Sequence, residues 1–184
     1  MTRAGLARFV DRFTIEYVRD YPHPIERVWR SVADPAEISV WFWTARFEAR
    51  VGAPYKFGGD ESDMFGVVTA VEPPRLLRFG GPHGHGPTGY IQFELAPVSG
   101  GTRLTFTQHS QPGFFRKDEW PIDPPDLAEG PGMPWRPGTL SGWHGALDCL
   151  GGHMDGADIE TGLEAAEAQL LAIYREHMRT IPPT

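Results

Sequence analysis

Apolar and polar residues alternate over residues 12–21. Phe13, Ile15 and Tyr17 fall on one side, Thr14 and Glu16 on the other, and this period of two predicts a half-buried strand. Pro22-His23-Pro24 ends it, because proline has no N–H to give a ladder. The period then changes to that of a helix. Ile25, Val28, Trp29 and Val32 predict a first short helix. Asp34-Pro35 reads as a cap and a first-turn proline for a second one, running through Ile38 and Trp41. Alternation returns over 44–51, 55–57, 64–72, 75–79, 88–95 and 102–109, separated by turns rich in glycine, proline and acidic residues. In strand 64–72, Phe65, Val67, Thr69 and Val71 are expected on one face, Met64, Val68 and Ala70 on the other. In the last strand Leu104, Phe106 and Gln108 share a face opposite Arg103, Thr105, Thr107 and His109. Residues 1–11 predict a short helix or a loose arm.

The C-terminal part is helical in pattern. Leu140, Trp143, Leu147, Leu150 and Met154 recur at steps of three or four, giving one wholly apolar stripe. A pause is expected at Asp155-Gly156. Asp158 then caps a last helix with Ile159, Leu163, Ala166, Leu170 and Ile173 on its apolar side. Between the strands and these helices, residues 111–138 form a long connection rich in Gly and Pro. It also carries Phe114, Phe115, Trp120 and Trp135, too aromatic for a passive linker.

The predicted order is strand, two short helices, a run of antiparallel strands, then a long helix. An antiparallel sheet of six to seven strands twists and curls, and the striped helix covers its concave side. The fold class is therefore α+β, a helix-grip arrangement. We read residues 1–11 as an N-terminal arm, 12–154 as the helix-grip domain and 155–184 as a helical extension of the same domain.

The 184 residues are 40% hydrophobic, with 11 Phe and 6 Trp, enough for a real core. A net charge of −7 argues against nucleic acid and anionic membrane as partners. The single Cys149 gives no internal disulfide. No apolar run is long enough to span a membrane, and residues 1–11 do not read as a secretory leader. A cytoplasmic protein is expected.

Several pieces of the chain resemble a known group when taken in order. They are Pro24-Ile25-Glu26-Arg27-Val28-Trp29 with Asp34-Pro35 and Trp41, Phe65-Gly66-Val67-Val68, Glu72-Pro73-Pro74-Arg75-Leu76, Gly101 to His109, and Gly142-Trp143-His144-Gly145-Ala146-Leu147-Asp148. Together they are similar to the START-like (SRPBCC) superfamily, and more narrowly to the family named for the activator of the heat-shock-protein-90 ATPase. The resemblance covers roughly residues 12–154 and implies the helix-grip fold. The superfamily includes ligand carriers, cyclases and proteins of no known activity, so fold alone does not assign function.

The candidate site is the space between sheet and helix, lined by Trp41, Trp43, Phe65, Tyr90, Phe106, Trp143 and Leu147, with Gln108 and His109 as its polar positions. The same residues would equally serve as core filling. Three functions follow. The first is binding of a small hydrophobic or amphipathic molecule. The second is a cyclase- or hydrolase-type enzyme using His109 or Tyr90 as acid or base. The third is a co-chaperone or stress-related partner-binding protein, with a homodimer as a related option. No cofactor is called for. The His83-Gly84-His85 loop with His153 or Asp155 is too sparse for a zinc site, and Asp60, Glu61 and Asp63 lack the ladder of a calcium loop. His144 and Asp148, four apart and off the apolar stripe, are expected to face solvent as a pair.

Overall fold

The computed structural model describes residues 5–11, 13–59, 64–81, 88–110, 135–159 and 163–179, and only the backbone of 163–167. The strands are β1 (Arg8–Asp11), β2 (Thr14–Tyr21), β3 (Ala45–Phe47), β4 (Pro54–Phe57), β5 (Met64–Glu72), β6 (Leu76–Gly80), β7 (Tyr90–Val98) and β8 (Gly101–His109). The helices are α1 (Ile25–Ala33), α2 (Pro35–Trp41), α3 (Pro137–Asp155) and α4 (Leu163–Arg179). The strands form one antiparallel sheet in the order β1-β2-β8-β7-β6-β5-β4-β3. Among the described residues no helix is long and apolar enough to cross a membrane.

The α+β helix-grip expectation holds, with two changes at the sheet edges. The sheet has eight strands rather than six or seven, because residues 8–11 form an edge strand instead of a helix or loose arm. Phe9 sits opposite Ile15, and Arg8 forms an ion pair with Glu16 across the ladder. At the other edge β3 is only three residues long. The backbone from Glu48 to Ala53 closes into local turns instead (Arg50 N–H to Glu48 O, 2.8 Å; Ala53 N–H to Arg50 O, 3.0 Å), and Gly52 supplies the positive φ of 83° they need.

Strand β5 departs from strict alternation. Val68 is level with Phe79 and Val71 with Leu77, so three steps on β5 match two on β6. Thr69 is the extra residue of a bulge, and the bulge reverses the inward phase. Phe65 and Val67 therefore face out and Val71 turns in, which splits the predicted face. Short side chains on the inner side of β5 let rings from the flanking strands meet across it: Tyr55 on β4 and Phe79 on β6 have centroids 5.0 Å apart.

The helix boundaries follow from local chemistry. The Asp34 carboxylate accepts the Ala36 N–H at 2.8 Å and caps α2, as its sequence position predicts. Gly156, at φ 74° and ψ 22°, ends α3 in the left-handed conformation that glycine adopts without strain. The stripe Leu140, Trp143, Leu147, Leu150 and Met154 is buried throughout. Among the described side chains of α4 the buried positions are Leu170 and Tyr174, while Ile173 is half-buried; the predicted Leu163 and Ala166 lie outside them. The predicted apolar side omitted Tyr174, which is fully buried.

Candidate functional site

Three hydrogen bonds fix α3 over β2 and β8. The Tyr17 hydroxyl donates to Leu140 O (2.7 Å), the Tyr21 hydroxyl to Leu147 O (2.8 Å), and Trp143 Nε1 to Gln108 Oε1 (2.7 Å). All three are buried, and each satisfies a polar atom that would otherwise be costly inside an apolar core. Burial pushes the phenols of Tyr17 and Tyr21 well above the ordinary tyrosine range, so both remain donors. Close packing accompanies these bonds. A Cβ at Gly151 would lie 3.2 Å from the Tyr21 ring, so the glycine lets α3 approach β2.

The sheet's inner face is aromatic. Tyr17, Phe106 and Phe93 fall in one cross-strand row, with Phe79, Phe57 and Tyr55 continuing toward β4. Above it, rings stack in a column. Trp43 lies on Phe42 (5.0 Å between centroids, 14° between planes), Phe42 on Trp143 (4.9 Å, 19°), and Trp143 meets Phe106 at 4.2 Å. The column runs from Trp43, 47% exposed, to Phe106, fully buried.

The predicted site residues divide into two groups. Trp41, Phe106, Gln108, Trp143 and Leu147 are brought together inside. Trp41 donates its Nε1 hydrogen to Ser31 O at 2.9 Å and stands edge-on to Phe93. Alternation rightly places Gln108 inward. The other four are elsewhere. Trp43 marks the exposed end of the column. Phe65 is 44% exposed on the outer face, by the phase of β5. Tyr90 and His109 are level on β7 and β8 and stack on each other on the outer face, 5.5 Å apart. Arg78 lies 4.7 Å over the Tyr90 ring, and His109 Nδ1 shares a hydrogen bond with Thr14 Oγ1 at 2.9 Å. Neither reaches the interior, so neither is placed for acid–base chemistry there.

The reading of His144 as solvent-facing is overturned, for His144 is only 6% exposed. Helix α4 covers the side of α3 that the sheet does not, and the Tyr174 hydroxyl comes within 2.9 Å of His144 Nδ1. The Ala7 N–H donates to that same hydroxyl at 3.0 Å. On the other side of the ring, His144 Nε2 lies 3.4 Å from Asp148 Oδ2. Burial would raise the Asp148 carboxyl, but His144 and Arg19 outweigh it and hold it low. This network joins the N-terminal segment, α3 and α4, and no apolar periodicity would have revealed it.

At the far end of α3, one carboxylate gathers several donors. Glu37 accepts from Arg27 Nη1 (2.7 Å), Arg30 Nε (3.0 Å) and Ser31 Oγ (3.2 Å), and pairs with His153 Nε2 (2.8 Å). Burial works against its ionised form, but hydrogen bonds from His153, Arg27 and Ser31 prevail and hold its pKa at about 2. Glu37 thus ties α1, α2 and α3 together. Among the described residues no group of three or more His, Cys, Asp or Glu is placed to hold a metal ion. The His83-Gly84-His85 loop, the Asp60–Asp63 turn and residues 111–134 lie outside the described residues.

Sequence reasoning missed Phe42, the middle ring of the column. The signal was present in the run Trp41-Phe42-Trp43, but the expected lining takes the two tryptophans and passes over the ring between them.

Solved structures share this fold. Protein MLL2253 from Mesorhizobium loti has a TM-score of 0.61 at 23% identity, spanning 79% of this chain and 98% of that one. CalU16 from Micromonospora echinospora has a TM-score of 0.62 at 20% identity, spanning 97% and 98%. A conserved protein of unknown function, EF2215 from Enterococcus faecalis, reaches 0.65 at 16% identity over 97% and 92%. At these identities the likeness concerns fold alone. No curated protein sequence matches significantly. The sequence itself carries the family pattern over residues 22–150, well over half of the chain, and the protein therefore belongs to the Activator of Hsp90 ATPase homolog 1-like family.

Proposed function

We propose that the protein binds a small apolar or amphipathic molecule between the inner face of the sheet and α3. The observation that carries this reading is the column Trp43–Phe42–Trp143–Phe106. It leads from an exposed indole to a fully buried ring and has the buried Gln108–Trp143 hydrogen bond at its base. Ligand sites are mostly apolar and aromatic with a few fixed polar groups, and this arrangement has that composition. The outward placement of Tyr90 and His109 removes the geometric basis for an enzyme built on those two residues.

The test is native mass spectrometry of the purified protein together with thermal-shift titration against N-phenyl-1-naphthylamine. Binding at about 100 times Kd should raise Tm by on the order of 5–10 °C. No adduct and no shift would sink the proposal.

A further inference from the structure

Among the described residues, two buried hydroxyls have no hydrogen-bond partner: Tyr55 Oη and Ser110 Oγ. Their residues are 3% and 0% exposed. Both are on the inner face, and they share a row. Val67 is level with Gly80, Gly80 with Tyr90, and Tyr90 with His109, while Gly66 is level with Tyr55. Continuing that register by one residue gives the row Ser110, Gly89, Gly81, Gly66, Tyr55. The close approach of Gly81 to Gly66 agrees with this, and on the other side of β8 the ladder to β2 runs one residue further, where the Ser110 N–H donates to Phe13 O at 2.8 Å. Ser110 also continues the inward series Leu104, Phe106 and Gln108.

The three positions between the hydroxyls are all glycine, and at two of them no side chain would fit. A Cβ at Gly66 would lie 2.2 Å from Gly80 O, and one at Gly81 would lie 2.6 Å from the Gly66 Cα. The row is a strip of bare backbone with a hydroxyl at each end, directly beyond the row that holds Gln108. Phe57 and Phe79 flank Tyr55 at 5.2 and 5.0 Å and give the strip an aromatic border.

An unmet buried hydroxyl opposes folding, and Phe or Ala would remove it without loss of packing. Two such groups on one row call for a partner that arrives from outside the chain. Burial alone pushes the Tyr55 phenol up to about 12, so it stays a neutral donor. The inward positions of β4 to β8 hold no Lys or Arg to neutralise an anion.

We infer that this row receives the polar end of the ligand, and that the ligand is a neutral molecule with an apolar aromatic body and a hydrogen-bond-accepting oxygen of the carbonyl kind. Tyr55 donates to that oxygen and Ser110 holds the opposite end of the strip. The inference rests on the binding reading above and specifies its ligand class.

Two probes separate the claims: 2-(dimethylamino)naphthalene, and its ketone 6-propionyl-2-(dimethylamino)naphthalene. Each is titrated by fluorescence into the full chain and into Tyr55→Phe and Ser110→Ala. The parent naphthalene should bind wild type and both variants alike. The ketone should bind wild type more tightly and lose about tenfold in affinity on Tyr55→Phe, the loss of one buried hydrogen bond. Without probe, both variants should melt at or above the wild-type temperature. A lower Tm would reveal an existing partner for the hydroxyl and overturn the inference. Equal ketone affinity in wild type and Tyr55→Phe would also overturn it, whatever Ser110→Ala does, leaving the binding reading intact and a buried water as the Tyr55 hydroxyl's partner. Failure of both probes to bind wild type would remove the binding reading itself.

Discussion

At the scale of single residues, the bond between Gln108 and Trp143 joins sheet to helix. Gln108→Leu keeps the volume close to native but strands a buried indole N–H. A buried donor without a partner costs about 1–3 kcal/mol, so urea denaturation should show a loss in that range. Adding Trp143→Phe removes the stranded donor. The double variant should be more stable than the sum of the two single losses by about 1 kcal/mol, and strict additivity would show that the bond contributes nothing. Gln108 was legible in the sequence because strand alternation is a strong constraint: it shares a face with Leu104 and Phe106. His144 was not. A helix stripe predicts the face toward one neighbour, and His144 turns toward a second neighbour, α4, through Tyr174. Nothing in the spacing of apolar residues says that two sides of α3 are covered. Tyr90 and His109 misled for a different reason. Aromatic and titratable residues suggest chemistry wherever they fall, but their register on β7 and β8 gives them to the outer face.

At the scale of elements, α3 carries glycines with different roles, though all are weak helix formers. Gly142 has open space where a Cβ would go, so Gly142→Ala should stabilise the protein by about 0.5–1 kcal/mol through helix propensity. At Gly151 the new Cβ would press on a Tyr21 ring held in place by its bond to Leu147 O. Gly151→Ala should gain nothing or lose stability. Equal gains at both sites in thermal melts would contradict the close approach of α3 to β2.

The junction of α1, α2 and α3 at Glu37 has a pH signature. Its carboxyl is depressed from an ordinary 4.5 to about 2, so its contribution is fully present above about pH 4.5 and is lost as pH falls toward 2. Acid titration of stability should therefore show a limb across that interval, and Glu37→Gln should flatten it while lowering stability at neutral pH. An unchanged acid limb in that variant would place the acid sensitivity elsewhere. The cap at Asp34 and the stop at Gly156 were both legible in the sequence because single residues specify them. The bulge in β5 was not, for no residue type marks it in a run of Val, Thr and Ala. The short β3 and the edge strand β1 were also missed, since a sheet's margins depend on the neighbouring strand more than on their own composition.

For the whole molecule, the order of elements was more informative than any one of them. A strand, two short helices, a meander and a striped helix leave few ways to bury every apolar face, and the helix grip is the one this chain adopts. What the order could not supply was the interior's polar detail, which depends on register across strands far apart in sequence.

That same register has a consequence for how the chain reaches its folded form. Strand β2 is made early and finds β1 beside it, but its other edge pairs with β8: Thr14 and His109 stand together although 95 positions apart. Strands β3 to β8 can form as a local meander, each hairpin closing on its predecessor. The β2–β8 seam must wait for a long loop to close, and its entropic cost falls before any contact rewards it. On a ribosome, Ile15, Tyr17 and Tyr21 would remain without their sheet partners until β8 has emerged, and without their cover until α3 follows. The strand that anchors the gripping helix is thus among the first to be synthesised and among the last to be enclosed.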